Sequence, residues 1–515
     1  MKILLTSILI CIGAYVLPSA CLAAKADPQL LKEPRPVAGE QLSTQQSKTL
    51  LQQSVPAANS AARTDFRSGY KFYQDKNYHK ACLYLYRYLS QQTPDDIDYE
   101  WAAFFFGISL KKLGYSHAAI DILANLVTRK PNQKIVFYCL ELFEQTLRTQ
   151  PVAREILINR VLCDQEYGFL EGTVSDFVNY HQGVYDWENG FFHWGNQHFN
   201  RITPETHYYY QYLYKKALLA LYRDEITEAI DLLKQILRSD QPSRKLQDDC
   251  RKTLARLLYE QQQFDAAEFM YARVQKSILE QSEILLERAW AEYRMGNPEK
   301  AMGLLYAFEA PSFHDAFKPE YYILKSFIYK DVCHYDKAMT VIEEFRSRYG
   351  GALDIIYSRE DPVDNEAMML YLLNKKHIDQ IWQFLELLEK ERAACAEFKD
   401  PVLRSYLEKL YDLQIQKSRH KLRRLIEEDY EKAANDLLQY EENAHLMEYE
   451  IGLDMYKRVY EVHFEKGLQE RSVSSKVKRA VYPFQREFWN DELADYQVKL
   501  PNKCQDMEEW DIFFK

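Results

Sequence analysis

Residues 101–132 read WAAFFFGISLKKLGYSHAAIDILANLVTRKPN. In this stretch Gly107 lies in a first predicted helix, and Ala119 follows twelve positions later in a second. Leu123 comes four positions after Ala119, and Pro131 closes the unit. Two small residues allow antiparallel helices to approach closely, and the large residue fills the space beside them. The stretch therefore predicts a pair of tightly packed antiparallel helices.

The same spacing of a small residue and a later alanine recurs along the chain. The further pairs are Gly69 and Ala81, Ala217 and Ala229, Ala255 and Ala267, Ala289 and Ala301, and Ser326 and Ala338. The steps between successive alanines, with Ala119 included, are 38, 110, 38, 34 and 37 residues. This pattern, between roughly residues 62 and 350, resembles the tetratricopeptide repeat, whose period is about 34 residues. The resemblance implies an all-α superhelical solenoid of antiparallel helix pairs.

Composition agrees with a helical array. The 515 residues include only 16 glycines and 17 prolines, too few for the turns of an all-β or α/β fold of this length. A repeat array also explains how a chain this long avoids building one oversized core. We predict repeats over 64–163 and 207–352, separated by an insertion over 164–206.

The insertion is predicted from its composition. It holds five of the chain's 16 glycines, and it carries the aromatic residues Trp187, Phe191, Phe192 and Trp194. Irregular segments on a rigid helical scaffold often carry specific binding surfaces. We therefore expect these four side chains to form an interaction surface.

The C-terminal part should differ in character. Residues 353–465 are predicted to form long helices with coiled-coil-like seams, and 466–515 a basic loop and an aromatic tail that packs back onto the helices. Between 402 and 451 there is neither Pro nor Gly. Two short apolar seams joined by the polar stretch 417–424 favour long antiparallel helices over one continuous coiled coil. Self-assembly through 402–451 is an alternative role for this region.

The N-terminus has the pattern of an export signal. Lys2 precedes an apolar stretch, and small residues follow near a cleavage site at residue 23 or 24, so 1–24 are predicted to be a signal peptide. Cys21 offers an alternative lipid anchor, which would be the only membrane contact. Residues 25–63 have the composition of a disordered linker. We expect export to the periplasm or outer membrane of a Gram-negative bacterium.

The cysteines and histidines are the candidate residues for disulfides and for metal binding. Seven cysteines follow the signal, mostly at apolar helical positions, and we expect buried thiols, with one long-range disulfide as the alternative. Histidines 181, 193, 198 and 207 cluster near the insertion without the tight spacing of metal ligands. There is no P-loop, GxGxxG, GxSxG or HExxH motif. We predict no metal, no cofactor and no enzymatic activity.

The resemblance to tetratricopeptide proteins implies a concave groove lined by the first helix of each pair, which holds a partner protein. The positions that match are Tyr70, Tyr73, Phe104, Lys111, Tyr214, Leu221, Arg256, Tyr259, Trp290, Tyr293, Phe327 and Lys330. Aromatic and Arg side chains dominate binding energy at interfaces. The alternative is that these rings pack between the helices. Few of the positions are cationic, so clamping of a terminal carboxylate is not expected.

The predicted function is a non-catalytic scaffold that holds protein components of an envelope, secretion or surface-motility assembly. A net charge of −10 argues against nucleic acid as the partner. A different reading is an envelope enzyme with a helical solenoid, similar to lytic transglycosylases. That reading requires a globular region with a Glu in a cleft, and the helical character after residue 353 counts against it.

Overall fold

The computed structural model describes residues 59–163, 165–274, 278–310, 313, 317–361, 364–373, 375–464 and 497–505. These residues form helices and connecting turns, with no strand among them. The predicted signal peptide, all of the predicted linker before residue 59, and most of the predicted loop and tail after 465 lie outside the described residues. Among the described helices, none combines the length and the apolar character that crossing a bilayer requires.

The chain divides into two compact units. Unit 1 comprises Met1–Leu232, Ser239–Pro242 and Asp379–Arg423. Unit 2 comprises Leu233–Arg238, Ser243–Ile378 and Arg424–Lys515. Each unit therefore combines repeats with a part of the C-terminal helical region.

The helices are numbered in chain order. The first ten are α1 (Asn59–Gln74), α2 (Tyr78–Gln91), α3 (Tyr99–Lys112), α4 (Ser116–Val127), α5 (Gln133–Thr149), α6 (Arg154–Leu157, continued by a π-helical turn Ile158–Leu162), α7 (Gly172–Glu188), α8 (Phe192–Phe199), α9 (His207–Tyr222) and α10 (Ile226–Leu237). There follow α11 (Arg244–Glu260), α12 (Phe264–Tyr271), α13 (Ile278–Arg294), α14 (Pro298–Tyr306), α15 (Pro319–Asp331), α16 (Tyr335–Ser358), α17 (Glu366–Leu373), α18 (Lys376–Ala394) and α19 (Pro401–Phe464). Short 3₁₀ turns follow α14 and α18.

The helices pair as the small-residue spacing predicts. A Cβ atom added to Gly107 on α3 would lie 2.6 Å from Cγ of Leu123 on α4, so only glycine fits at that crossing. Gly69 on α1 stands in the same relation to Leu85 on α2, at 2.7 Å. The second-helix alanines 81, 119, 229, 267, 301 and 338 are all fully buried. The tetratricopeptide-like architecture is therefore confirmed.

A left-handed backbone residue ends the first helix of each pair. Residues with positive φ lie five positions before the small residue of the second helix: Lys76, Gly114, Gly190, Asp224, Gln262, Gly296 and Cys333. A residue in this conformation directly after a helix lets its amide groups bond the last free carbonyls, which stops the helix. Three of the seven are glycine, for which positive φ carries little strain. The helix pairs therefore share the conformation of their connecting turns as well as the spacing of their small residues.

The segment predicted to be an insertion contains a helix pair of the same kind. Gly183 on α7 and Gly195 on α8 occupy the two small positions, and Phe199 occupies the large one. Gly190 takes the left-handed turn position. Our prediction of an insertion followed from the richness of this segment in glycine and aromatic residues, and Gly195 stands where the other pairs have alanine. The step from Gly195 to Ala229, 34 residues, was the signal that the array continues.

The C-terminal region also differs from the prediction. Residues 402–451 belong to one continuous helix, α19, rather than to two antiparallel helices. The polar stretch 417–424 holds strong helix formers and does not break the helix. Antiparallel pairing does occur in unit 1, between α18 and the first part of α19. There Arg419 donates to Glu389 at 2.7 Å, and Arg392 donates to Asp412 at 3.2 Å.

One disulfide joins Cys333 to Cys504 in unit 2, across 171 residues. This is the long-range bridge that the sequence left open as an alternative. Residues 497–505 are held further by bonds from the amide of Val498 to Glu299 O and from the amide of Lys503 to Val332 O. Cysteines 82, 139, 163, 250 and 395 are free thiols and buried, as expected.

Candidate partner-binding face

In unit 1 the first helices present a continuous aromatic surface. Tyr70 and Tyr73 on α1 both lie 4.9 Å, centroid to centroid, from the ring of Phe105 on α3. On the same surface Trp101 stacks on Phe105 at 5.8 Å, and Phe104 meets Tyr138 of α5 at 6.2 Å. We call these six residues, Tyr70, Tyr73, Trp101, Phe104, Phe105 and Tyr138, the aromatic face. Tyr70 and Tyr138 are exposed, and Phe104 is buried beneath them.

Three cations of α1 lie in a row on one side of Tyr70, with Arg63 nearest and Lys71 about 100° away around the helix. Arg63, Arg67 and Lys71 recur every four residues along α1, and all three are exposed. At 100° per residue, Arg63 falls about 20° and Arg67 about 60° from Tyr70 around the helix, on the side opposite Tyr73. Within the described part of the chain, no carboxylate forms an ion pair with these three side chains. The surface thus offers positive charge and aromatic rings side by side.

Lys111, the cationic residue predicted for the groove in unit 1, lies apart from this surface. Its Nζ donates to Ser116 Oγ at 3.1 Å, at the start of α4. Burial lowers the pKa of Lys111, and the nearby Glu391 carboxylate partly opposes that shift. Lys111 therefore belongs to the buried polar cluster at the N-terminus of α4.

That cluster attaches α18 and α19 to the repeats of unit 1. The Glu391 carboxylate on α18 accepts hydrogen bonds from the His117 amide at 3.0 Å and the Tyr411 hydroxyl at 2.7 Å. Tyr115 donates to Ala394 O at 2.6 Å. Burial raises the pKa of Glu391 and lowers the pKa of His117 to about 4. Residues so far apart in the chain gave no sequence signal of this contact.

The four aromatic residues predicted for the insertion divide between packing and surface. Trp187 is part of the α7–α8 pair: its ring lies 4.6 Å from that of Phe199, and its Nε1 donates to Asn196 at 3.2 Å. Phe192 and Trp194 are exposed, and the Arg223 guanidinium lies 4.8 Å from the Phe192 ring centroid. Phe191 is half-buried and precedes α8.

A small cleft of about 110 Å³ lies beside these rings in unit 1. Trp187, Phe192 and Arg223 line it together with Lys216 and Glu228, which form an ion pair at 2.9 Å. Tyr214 and Leu221 of α9, predicted for the groove, are half-buried and are not among its lining residues. Neither of these two predicted groove residues therefore contributes to this cleft.

In unit 2 the matching positions are engaged by other side chains of the fold. Arg256 on α11 donates to Glu287 at 3.0 Å and to Glu283 at 2.9 Å, both on α13. Burial alone would raise the pKa of Glu283, but the charges of Lys252 and Arg256 hold that pKa well below its usual range. These charges form a partly buried network between the neighbouring first helices α11 and α13.

The remaining predicted residues of unit 2 are likewise engaged. Trp290 Nε1 donates to Glu320 at 2.8 Å, and burial raises the pKa of that carboxyl. The Tyr293 hydroxyl donates to Asp331, and Lys330 forms an ion pair with Glu450 of α19. The Tyr259 ring lies 5.1 Å from that of Phe264, and Phe327 is half-buried. In unit 2 these positions therefore serve the fold.

The clustered histidines have separate local partners. His181 meets the rings of Phe177 and Tyr180 edge-on, at 4.8 and 5.2 Å. His198 Nδ1 lies 3.3 Å from Asn179 Oδ1, while His193 and His207 each contact a glutamine one turn later. In the part of the chain that the structure describes, no group of three or more potential ligands could hold a metal ion.

Comparisons with known proteins return similar structures only. No family model and no curated protein matches this sequence. A tetratricopeptide repeat protein from Parabacteroides merdae ATCC 43184 is 13% identical over 56% of this chain and 93% of its own, with a TM-score of 0.20. RapI in its apo form is 11% identical over 71% of this chain and 99% of its own, with a TM-score of 0.31. A Rap protein complexed with competence and sporulation factor is 13% identical over 72% and 100%, with a TM-score of 0.26.

Proposed function

We propose that this protein is a non-catalytic scaffold that binds a partner protein through the aromatic face of unit 1. One observation carries the proposal. The first-helix positions of unit 2 are engaged by other side chains of the fold, as Arg256 is by Glu283 and Lys330 by Glu450. Tyr70, in contrast, is exposed beside three cations that have no carboxylate partner in the described chain. Aromatic and Arg side chains at such a surface are the types that supply most of the energy of protein interfaces.

The charge of this surface indicates the chemistry of the partner. Arg63, Arg67 and Lys71 favour an acidic segment, and the rings favour aromatic or aliphatic side chains within it. The chain as a whole carries a net charge of −10, so a long polyanion such as nucleic acid would be repelled beyond this patch. A short acidic and apolar stretch of protein fits both properties.

The position of the buried carboxyl Glu391 also favours a binding role over catalysis. Glu391, a buried carboxyl of unit 1 that accepts two hydrogen bonds, lies between α4, α18 and α19. A glycosidase-like enzyme needs a carboxyl that faces a substrate cleft. After residue 353 the described residues are helices and short turns, with no separate globular domain.

We further propose that the protein is exported and acts in the cell envelope of a Gram-negative bacterium, in an envelope, secretion or surface-motility assembly. The support is the leader-like pattern of residues 1–24. A lipid anchor at Cys21 is the alternative to a freely exported protein.

The test is capture of partners from intact envelopes by three forms of the full chain. The first is the natural chain, and the second carries Arg67→Glu and Lys71→Glu on the proposed surface. The control carries Lys234→Glu and Lys245→Glu, which change the net charge equally at two exposed positions elsewhere. We expect a protein that the natural chain and the control both capture, that the second form loses, and that high salt releases. Equal capture by all three forms would refute the proposed surface.

A further inference from the structure

One side of α19 packs against the other helices of unit 2. Leu437, Ala444, Met447 and Ile451 on this side are fully buried. Ion pairs from Lys330 to Glu450 and from Arg346 to Glu448 hold the same length of helix in place. The helix is therefore anchored along residues 437–451 by both apolar packing and charge.

The opposite side of the same helix length carries an exposed apolar stripe. Leu446, Tyr449, Leu453 and Tyr456 are spaced by 3, 4 and 3 residues, and they are 54, 65, 37 and 64% exposed. This spacing aligns the four side chains on one face, as in the seam of a coiled coil. We call these four residues the stripe. Surface apolar residues are common singly, but an aligned row of this kind marks an interaction site.

Gly452 lies on the edge of the stripe. A Cβ atom at this position would meet nothing within 4 Å, so no contact with the described residues requires a glycine there. Glycine in a helix interior costs about 0.5–1 kcal/mol relative to alanine. A glycine is useful at such a position when another backbone must approach closely.

We propose that the stripe pairs with the stripe of a second copy of this chain, with the two α19 helices antiparallel. A two-fold axis level with Ile451 sets Leu446 of one copy against Tyr456 of the other, and Tyr449 against Leu453. Every layer then joins one leucine to one tyrosine, so the layers have equal volume. The two Gly452 residues lie near the axis, where the helices approach most closely.

The charges at the edge of the stripe fit the same arrangement. Glu450 and Lys457 lie on one edge, and both are exposed. An antiparallel pair brings Lys457 of one copy to within about five residues, or 7.5 Å along the axis, of Glu450 in the other. The two Glu450 side chains also approach each other near the axis, and Lys330 of each copy already neutralises them.

The size of the stripe determines how tightly we expect the two copies to bind. Stable interfaces use about 20–30 residues on each side, far more than four residues and their neighbours. We therefore expect a dimer that dissociates at protein concentrations on the order of micromolar, rather than an obligate one.

The first experiment is sedimentation of the full chain over a range of concentrations. Leu453→Asp should weaken dimerisation at least about 100-fold, because the two-fold axis places an unpaired carboxylate in the interface twice. Leu413→Asp is the matched control, since Leu413 lies on the same helix and is also 37% exposed. Circular dichroism confirms that both variants fold. A monomer at all concentrations, or a dimer that Leu453→Asp leaves unchanged, would overturn the proposal.

The second experiment tests whether the two α19 helices are antiparallel. It uses a chain whose Cys11 and Cys21 are replaced by serine. Gly452→Cys should form a disulfide-linked dimer under mild oxidation. Lys457→Cys should not, because the two copies of residue 457 lie about 18 Å apart along an antiparallel pair. Linkage at 457 and not at 452 would overturn the antiparallel arrangement. Partner capture through the aromatic face should survive Leu453→Asp, so this proposal and the proposed function fail independently.

Discussion

Replacing Gly183 by alanine should destabilise the α7–α8 pair. The added Cβ atom would lie 2.7, 2.8 and 2.9 Å from three ring carbons of Phe199. The ring has little room to move, since it stacks on Tyr212 at 4.4 Å and meets Trp187 at 4.6 Å. The substitution therefore forces the two helices apart or displaces a buried ring.

The magnitude follows from two opposing effects. Forcing an extra carbon into a well-packed contact typically costs about 1–3 kcal/mol. Alanine is better than glycine in a helix interior by about 0.5–1 kcal/mol. We expect a net loss of about 1–2 kcal/mol. Gly350→Ala on α16 is the control, because its Cβ atom would meet nothing within 4 Å, and it should gain up to about 1 kcal/mol.

The measurement is native-state hydrogen exchange, followed on peptides from residues 172–199 and from α16. A chain with two units need not unfold in one step, so a local opening free energy is more informative than a global midpoint. We expect faster exchange in 172–199 for Gly183→Ala and slower exchange in α16 for Gly350→Ala. Unchanged or slower exchange in 172–199 for the first variant would show that α7 and α8 do not pack as a repeat.

Three further predictions concern charge and redox state. Burial holds the pKa of His117 at about 4, below its ordinary 6.5, so the unfolded chain binds more protons and stability should fall as pH drops from 6.5 to 4. His117→Phe should remove up to about 3 kcal/mol of that dependence, as measured by denaturant unfolding at each pH; an identical pH profile would contradict this. Arg256→Met should destabilise unit 2 by about 1–3 kcal/mol, because Glu287 loses its cation while the partly exposed Glu283 keeps Lys252; exposed Arg67→Met should have little effect on thermal unfolding. Mild reduction of the folded protein should let mass spectrometry detect alkylation at Cys504 and not at the five buried thiols; alkylation of Cys504 before any reduction would contradict the disulfide assignment.

The repeats could be predicted from the sequence because close helix crossings demand small residues at fixed spacing. Gly107 with Ala119 and Leu123 shows this requirement directly. The α7–α8 pair was assigned to an insertion because the segment is rich in glycine and aromatic residues, and because Gly195 stands where the other pairs have alanine. Its 34-residue step to Ala229 and the left-handed Gly190 are the features that place it in the array.

The candidate face could be predicted only in part. Tyr70 and Tyr73 were identified by their repeat positions, and the structure places them on an exposed surface in unit 1. Position alone does not reveal that Arg256 and Lys330 are paired with Glu287 and Glu450, because those contacts depend on which helix lies alongside. The cations Arg63, Arg67 and Lys71 were missed because they lie outside the matched positions.

The stripe and the disulfide depend on tertiary packing. The apolar seam predicted up to Ile451 is the buried side of α19, whereas the exposed Leu446 and Tyr449 lie on the other side and were not predicted as a surface. Which of two adjacent seams faces the repeats is decided by the partner helices. The link between Cys333 and Cys504 spans 171 residues and has no local pattern.

Site-specific photocrosslinking in intact cells tests most directly whether the aromatic face binds a partner protein. A photoreactive phenylalanine analogue is placed at position 70, on the aromatic face, or at position 222, an exposed tyrosine of α9. We expect position 70 to yield a specific crosslinked protein, and we expect that product to disappear with Arg67→Glu and Lys71→Glu. Position 222 should not crosslink to that protein. Equal crosslinking from both positions, or a product at position 70 that survives the charge reversal, would contradict these expectations.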